Sequence, residues 1–230
     1  MIKSFLISLI FPILLFSSQQ IVLVVADDFN KSTASLELFE GKKRIFSTNV
    51  NIGKNGLAWG IGEVYIDHNL SEPSKYEGDK KAPIGIFKLS TTFGYSYKPS
   101  TSLPYLYADK HLICVDDTNS PFYNQIIMQT GKEKSFEYMK RDDNQYKYGI
   151  TVEHNPKQQY KRGSCIFLHI QKAQGIGTAG CTSMQEESLQ RILKYLDKKK
   201  HPILIQIPKK YAPKILQLYP TLESSLLLSL

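Results

Sequence analysis

From Ile21 onward the chain is divided into short apolar or alternating runs, each closed by a turn signal. Ile21 to Val25 is a continuous, mainly β-branched run ended by Asp27-Asp28, and Leu36 and Leu38 flank Glu37 in an alternation that closes at Gly41. Asn55-Gly56 is a hairpin signal, and Glu63 to Asp67 alternates again. Runs this short read as strands, and strands with one apolar face need a second layer to cover it. The pattern therefore predicts a mainly β domain of two packed sheets. The 14 Tyr and 11 Phe point the same way, since aromatic side chains suit a pleated surface. Tyr95 to Tyr107, rich in Tyr, Ser and Pro, reads as a long loop wrapping the sheet.

One helix interrupts this pattern. Leu189, Ile192, Leu193 and Leu196 fall at i, i+3, i+4 and i+7 and give a single apolar stripe. Ser183 with Glu186 reads as a capping box at its start, Lys198-Lys199-Lys200 complements the dipole at its far end, and Pro202 stops it. Ile203 to Ile207 then reads as a strand closed by Pro208.

The ends have their own character. Residues 1–18 place one positive charge, Lys3, before an apolar run from Phe5 to Phe16 and then Ser17-Ser18, the layout of a secretory signal peptide. That run is short for a membrane span, which needs roughly 20 apolar residues. The expectation is an exported protein of the periplasm or cell envelope with one folded domain over residues 19–208. Residues 209–230 form a helical C-terminal tail begun near Pro213. Composition excludes disorder, collagen and coiled coil, with 42% hydrophobic and 22% charged residues, and a mean hydropathy of −0.26 excludes a polytopic membrane protein. The formal charge of +8 suits an anionic partner without selecting one.

The three cysteines differ in their surroundings. Cys114 and Cys165 lie in apolar, strand-like runs where a small buried side chain is the default. Cys181 follows the glycine-rich stretch Gly175 to Gly180 and precedes the expected helix, so the helix dipole would favour its thiolate. Backbone N–H groups around Gly180 and Cys181 could meet a developing oxyanion. A buried structural thiol at a helix start is the competing reading. Of His68, His111, His154, His169 and His201, only His169 lies close before Cys181, twelve residues upstream at the end of a strand, where the intervening loop could fold back to join imidazole and thiol. A metal reading of Cys165, His169 and Cys181 lacks a fourth ligand. Any intramolecular disulfide is limited to Cys114 with Cys165 if Cys181 works as a thiol. Three free thiols are expected, since a domain of this size has core enough to need no staple.

These residues resemble a known family. Gly163-Ser-Cys-Ile-Phe-Leu-His169-Ile, then Thr178-Ala-Gly-Cys181, then a helix and the Ile203 strand, are similar to the L,D-transpeptidase (YkuD-like) catalytic domain. So are Glu77-Gly-Asp79 through Pro83-Ile-Gly85-Ile-Phe87, the Val115 to Asn124 segment and Met139-Lys-Arg-Asp142, in the same order along the chain. Three departures stand out: Ala179 replaces the second His of the family signature, Thr182-Ser183 stand where many members carry Arg or Asn, and the His169-to-Cys181 spacing is shorter than the common pattern. The resemblance implies an L,D-transpeptidase-type β-sandwich with a helix after the catalytic Cys and a C-terminal strand. It also implies a Cys181 nucleophile, a His169 base, and Gly180 and Thr178 at the oxyanion and substrate position. The implied substrates are the stem peptides of peptidoglycan, and no metal or organic cofactor is needed. An L,D-carboxypeptidase using the same pair, or a non-catalytic wall-binding module, are the alternatives, and the presence of both His169 and Cys181 argues against the last. The expected protein is a monomer that binds no nucleic acid and keeps no membrane span once the signal is removed.

Overall fold

The computed structural model describes residues 19–229, so the signal-peptide reading of residues 1–18 lies outside the described residues. β1 (Gln20–Ala26) is buried along its whole length, as its β-branched run requires for a strand covered on both faces. It pairs antiparallel with β2 (Thr33–Glu40), which pairs antiparallel with β3 (Lys43–Asn51). Next come β4 (Leu57–Trp59), the long β5 (Ala82–Gly94) and β6 (Tyr105–Tyr107). β7 (Leu112–Val115), β8 (Ile126–Met128) and β9 (Phe136–Tyr138) form a separate three-stranded sheet in the order β8-β7-β9. β10 (Tyr148–Val152), β11 (Phe167–Ile170) and β12 (Thr182–Met184) lead to α1 (Glu186–Tyr195), and β13 (Ile203–Pro208) follows. α2 (Ala212–Leu218) and a 3₁₀ turn at Pro220–Leu222 end the fold, with Leu222 and Leu228 buried in the core.

The large sheet runs β10-β11-β12-β3-β2-β1-β13-β5-β4, with β6 on the side of β5. Strand β5 makes this a sandwich rather than an open sheet. Its Gly85 to Lys88 stretch pairs with β13, and its Leu89 to Gly94 stretch pairs with β10. One strand of 13 residues therefore serves both layers, and the sheet folds back on itself around the core. β13, the C-terminal strand, sits at the centre, parallel to β1 and antiparallel to β5. The architecture is the mainly β, sandwich-type fold expected, with its helix after Cys181.

Several local expectations need correction. A turn does form at Asn55-Gly56, where Gly56 has φ +86° and a Cβ would stand 1.9 Å from the Phe29 carbonyl oxygen. It makes no hairpin, because β4 runs parallel to β5 instead of folding back on β3. Glu63 to Asp67 forms no strand: it has no ladder partner beyond Glu63 N–H to Ile86 O, and only Ile66 is buried. The capping box is absent. Ser183 lies in β12, paired to His169 and Asn51, and Gln185 precedes α1 with no side-chain cap. Lys198–Lys200 lie outside α1 in a 3₁₀ turn capped by Asp197. Cys165 precedes β11 in the left-handed region, φ +53°.

The three-free-thiol expectation also fails: Cys114 and Cys165 form a disulfide with Cα atoms 6.0 Å apart. Core size was judged over the whole domain, but the three-stranded sheet contributes to a separate small cluster of Phe93, Leu112, Met139, Tyr146, Phe167 and the cysteines. The bond from β7 ties that sheet to the segment entering β11. It also removes Cys165 as a thiolate ligand, which ends the metal reading.

Candidate active site

Strands β11 and β12 are parallel neighbours, with Leu168 opposite Thr182 and His169 opposite Ser183. Cys181 stands one residue before β12, and alternation puts it on the face of Ser183 and hence of His169. Thiol and imidazole thus share one sheet face, a diagonal step apart. Both line one cavity of about 510 Å³, whose walls include Tyr146, Glu137, Arg141 and Lys75. The close sequence spacing that singled out His169 is explained by this pairing: the loop between the two strands closes a parallel connection.

The imidazole is held in one tautomer. His169 Nδ1 lies 2.8 Å from the Ile170 carbonyl oxygen, which can only accept, so Nδ1 carries the hydrogen and Nε2 is left as the base. The Tyr146 ring meets His169 edge-on, 5.2 Å between centroids, and the Arg141 guanidinium covers the Tyr146 face at 5.1 Å. Burial lowers the His169 pKa to about 4, so the ring is neutral at pH 7. His154 is also buried, but both its nitrogens are occupied, Nδ1 accepting from Ile61 N–H and Nε2 contacting Arg162 O, and it is a structural residue.

Cys181 accepts a hydrogen bond from Phe167 N–H at 3.3 Å, and its thiol contacts the Cys165 carbonyl at 3.5 Å. Burial, aided by the Glu137 carboxylate, pushes its pKa up to about 12. The dipole argument made from sequence does not apply here, because α1 begins only at Glu186. Thiol and imidazole are therefore both neutral at pH 7.

Thr178 and Gly180 shape the turn that delivers the thiol. Thr178 Oγ1 donates to Cys181 O at 2.6 Å and accepts from Gly180 N–H at 3.1 Å. The Gly180 N–H and the Thr178 hydroxyl are therefore engaged with the turn. Gly180 adopts φ +151°, and a Cβ there would lie 3.1 Å from Lys81 O.

The upstream segments singled out in the sequence converge on the same place. Glu77 Oε2 accepts from Tyr123 Oη at 2.6 Å and Ser164 Oγ at 2.7 Å. Asn124 Oδ1 accepts from Cys165 N–H at 2.9 Å, while its Nδ2 bonds His154 O and Asn155 O. Sequence reasoning missed Tyr146, Glu137 and Lys75. Tyr146 Oη donates to Glu137 Oε2 at 2.6 Å, a contact between β9 and the segment before β10 that no local pattern announces. Lys75 sits two residues before Glu77-Gly78-Asp79, the only signal that could have drawn attention to it. Among the described residues, no cluster of His, Cys, Asp and Glu has a metal-binding arrangement.

A family model, the L,D-transpeptidase catalytic domain, matches residues 24–205. Neither a curated protein nor a solved structure matches the chain. The matched span runs from within β1 to within β13 and includes Cys181 and His169, and the chain belongs to the L,D-transpeptidase catalytic-domain family.

Proposed function

We propose that the protein is a cysteine-dependent L,D-transpeptidase that cross-links peptidoglycan stem peptides through an acyl-enzyme on Cys181. The observation that carries this reading is that Cys181 and His169, carried by adjacent parallel strands, line one cavity, with the His169 hydrogen held on Nδ1 and Nε2 left as the basic nitrogen. As the donor stem fills the cavity, His169 Nε2 takes the thiol proton and Cys181 Sγ attacks the carbonyl of the L-centred diamino acid. The tetrahedral oxyanion is met by the Cys181 N–H, since the Gly180 N–H is engaged with Thr178. Collapse breaks the peptide bond; His169 returns the proton to the departing D-alanine amine, leaving a thioester. An amine of a second stem then attacks the thioester, gives up its proton to His169 and restores the thiol.

Water in place of that amine would make the same pair an L,D-carboxypeptidase, and the choice lies in what occupies the cavity beside the thioester. The basic composition suits a polymer with free carboxylates. The Cys114–Cys165 disulfide supports the reading of residues 1–18 as an export signal and of a working place in the cell envelope, where disulfides persist. The test is mass spectrometry of purified protein incubated with tetrapeptide stems. A protein adduct and a joined-stem product support transpeptidation, and a product shortened by alanine supports trimming. Retained activity in Cys181→Ala would remove the nucleophile assignment.

A further inference from the structure

We propose that Lys75, held by Asp79 beside Gly180, is a positioning residue of this reaction: the fixed positive charge that stabilises the Cys181 thiolate as it forms. The inference rests on Cys181 being the nucleophile.

Lys75 is 3% exposed, an unusual place for an ammonium group. Its Nζ donates to Asp79 Oδ1 at 2.5 Å and to Tyr76 O at 3.2 Å, which uses two of its three hydrogens. The third is not committed to either bond. Asp79 stands behind it: its Oδ1 also accepts from Lys81 N–H and its Oδ2 from Tyr76 N–H, and it does not line the cavity, whereas Lys75 does. Two glycines make room for the lysine. A Cβ on Gly163 would stand 3.1 Å from both Lys75 Cγ and Cε, and one on Gly180 would stand 3.7 Å from Nζ. The ammonium therefore lies against the residue that immediately precedes the nucleophile.

A buried ion pair is a poor stability device compared with apolar side chains of the same volume, so stability alone does not account for the Lys75–Asp79 pair. The charges around the thiol suggest a further role. Glu137 opposes ionisation of the thiol, while Lys75 favours it, and His169, in the lining of the same cavity, is neutral. Glu77, Asp116, Lys80, Arg141 and Lys172 complete the charged lining of the cavity. Arg141 is bound through Nε and Nη2 to Asp143, which offsets its charge.

A purely structural pair would brace the segment from Lys75 to Lys81 and leave the acidity of the thiol alone. The test is the rate constant of iodoacetamide alkylation of Cys181 at pH 8, where the rate follows the small thiolate fraction, in the full chain with its disulfide intact, each variant first checked for folding by circular dichroism. Asp79→Asn keeps the positive charge and removes its counter-charge, so alkylation speeds up. The double variant Lys75→Met/Asp79→Asn leaves no unpaired ion and slows alkylation about tenfold, the effect of one pH unit on the thiolate fraction. Lys75→Arg keeps the charge and stays near the wild type. If Asp79→Asn does not fold, the double variant against Lys75→Arg decides. A folded double variant that alkylates at the wild-type rate overturns the proposal while leaving Cys181 as nucleophile. A wild-type Cys181 that forms no adduct with tetrapeptide stems overturns both.

Discussion

Removing the Cys114–Cys165 bond, by Cys114→Ala/Cys165→Ala, should cost the domain a large part of its stability. The bond closes a loop with a sequence separation of 51, and loop-closure entropy for a ring of that size corresponds to about 4 kcal/mol at 25 °C. Domains of ordinary stability hold only about 5–15 kcal/mol in all. Both cysteines are buried in the small cluster with Phe167 and Cys181, so the alanine variant also leaves unfilled space there. Urea denaturation followed by the fluorescence of the single tryptophan, Trp59, is the assay. With slopes of about 2–3 kcal/mol/M, the midpoint should drop by about 1–2 M. The effect should reach the site, because the Cys165 carbonyl is a contact of the Cys181 thiol, and Cys181 should become more accessible to alkylation below the unfolding transition. A loss under about 1 kcal/mol at unchanged slope would refute the argument, since the bond would then not be restricting the unfolded chain.

His169→Ala should abolish acylation of Cys181 while leaving the melting temperature near the wild type. His154→Ala should do the reverse, since it strands the buried Ile61 N–H and Arg162 O at about 1–3 kcal/mol each; acyl-enzyme mass and thermal melts separate the two. Acid should destabilise the fold early. Burial holds both imidazoles at a pKa of about 4 against 6.5 in the unfolded chain, so the unfolded state binds more protons between those values. Their contribution is complete above pH 6.5 and is lost as pH falls toward 4, on the order of 3 kcal/mol per histidine, and a flat stability profile from pH 7 to 4.5 would contradict it. Thr178→Val removes the donor to Cys181 O and the acceptor of Gly180 N–H, and should lower stability by about 1–3 kcal/mol and slow acylation. A variant unchanged in both melting and acylation rate would contradict the bracing role.

What was legible in the chain follows from local rules. The β-branched run at Ile21 to Val25, the alternation at Leu36 to Leu38 and the stripe Leu189, Ile192, Leu193 and Leu196 each matched an element, because side-chain periodicity marks the type of element, although Glu37, the polar position of its alternation, is buried as well. The proposed nucleophile and base could be picked out because a short loop joins the adjacent strands that carry His169 and Cys181, although Asn51 and Gly53, far away in sequence, hold that loop in place. The capping box failed for the opposite reason: Ser183 has the right spacing to Glu186, but pairing with His169 and Asn51 holds it in a strand. Asn55-Gly56 likewise gave its turn while the partner of β4 was chosen elsewhere, by the long β5.

The charge environment of the site was beyond the sequence altogether. The acidity of a thiol depends on burial and on charges brought from β9, from the Lys75 to Asp79 segment and from the approach to β10. Those groups are distant along the chain and meet only in the folded protein. The Cys114–Cys165 bond is of the same kind, since its formation depended on whether two Cα atoms came within about 7 Å, a condition of tertiary packing. The sequence by itself determined most of the strands, the helix and the residue types of the proposed pair at Cys181 and His169, because those are set by residue type and short spacing. The tertiary structure decided which strands pair, which thiol stays free and which charges face it, because these are set by distance in space between residues far apart in the chain.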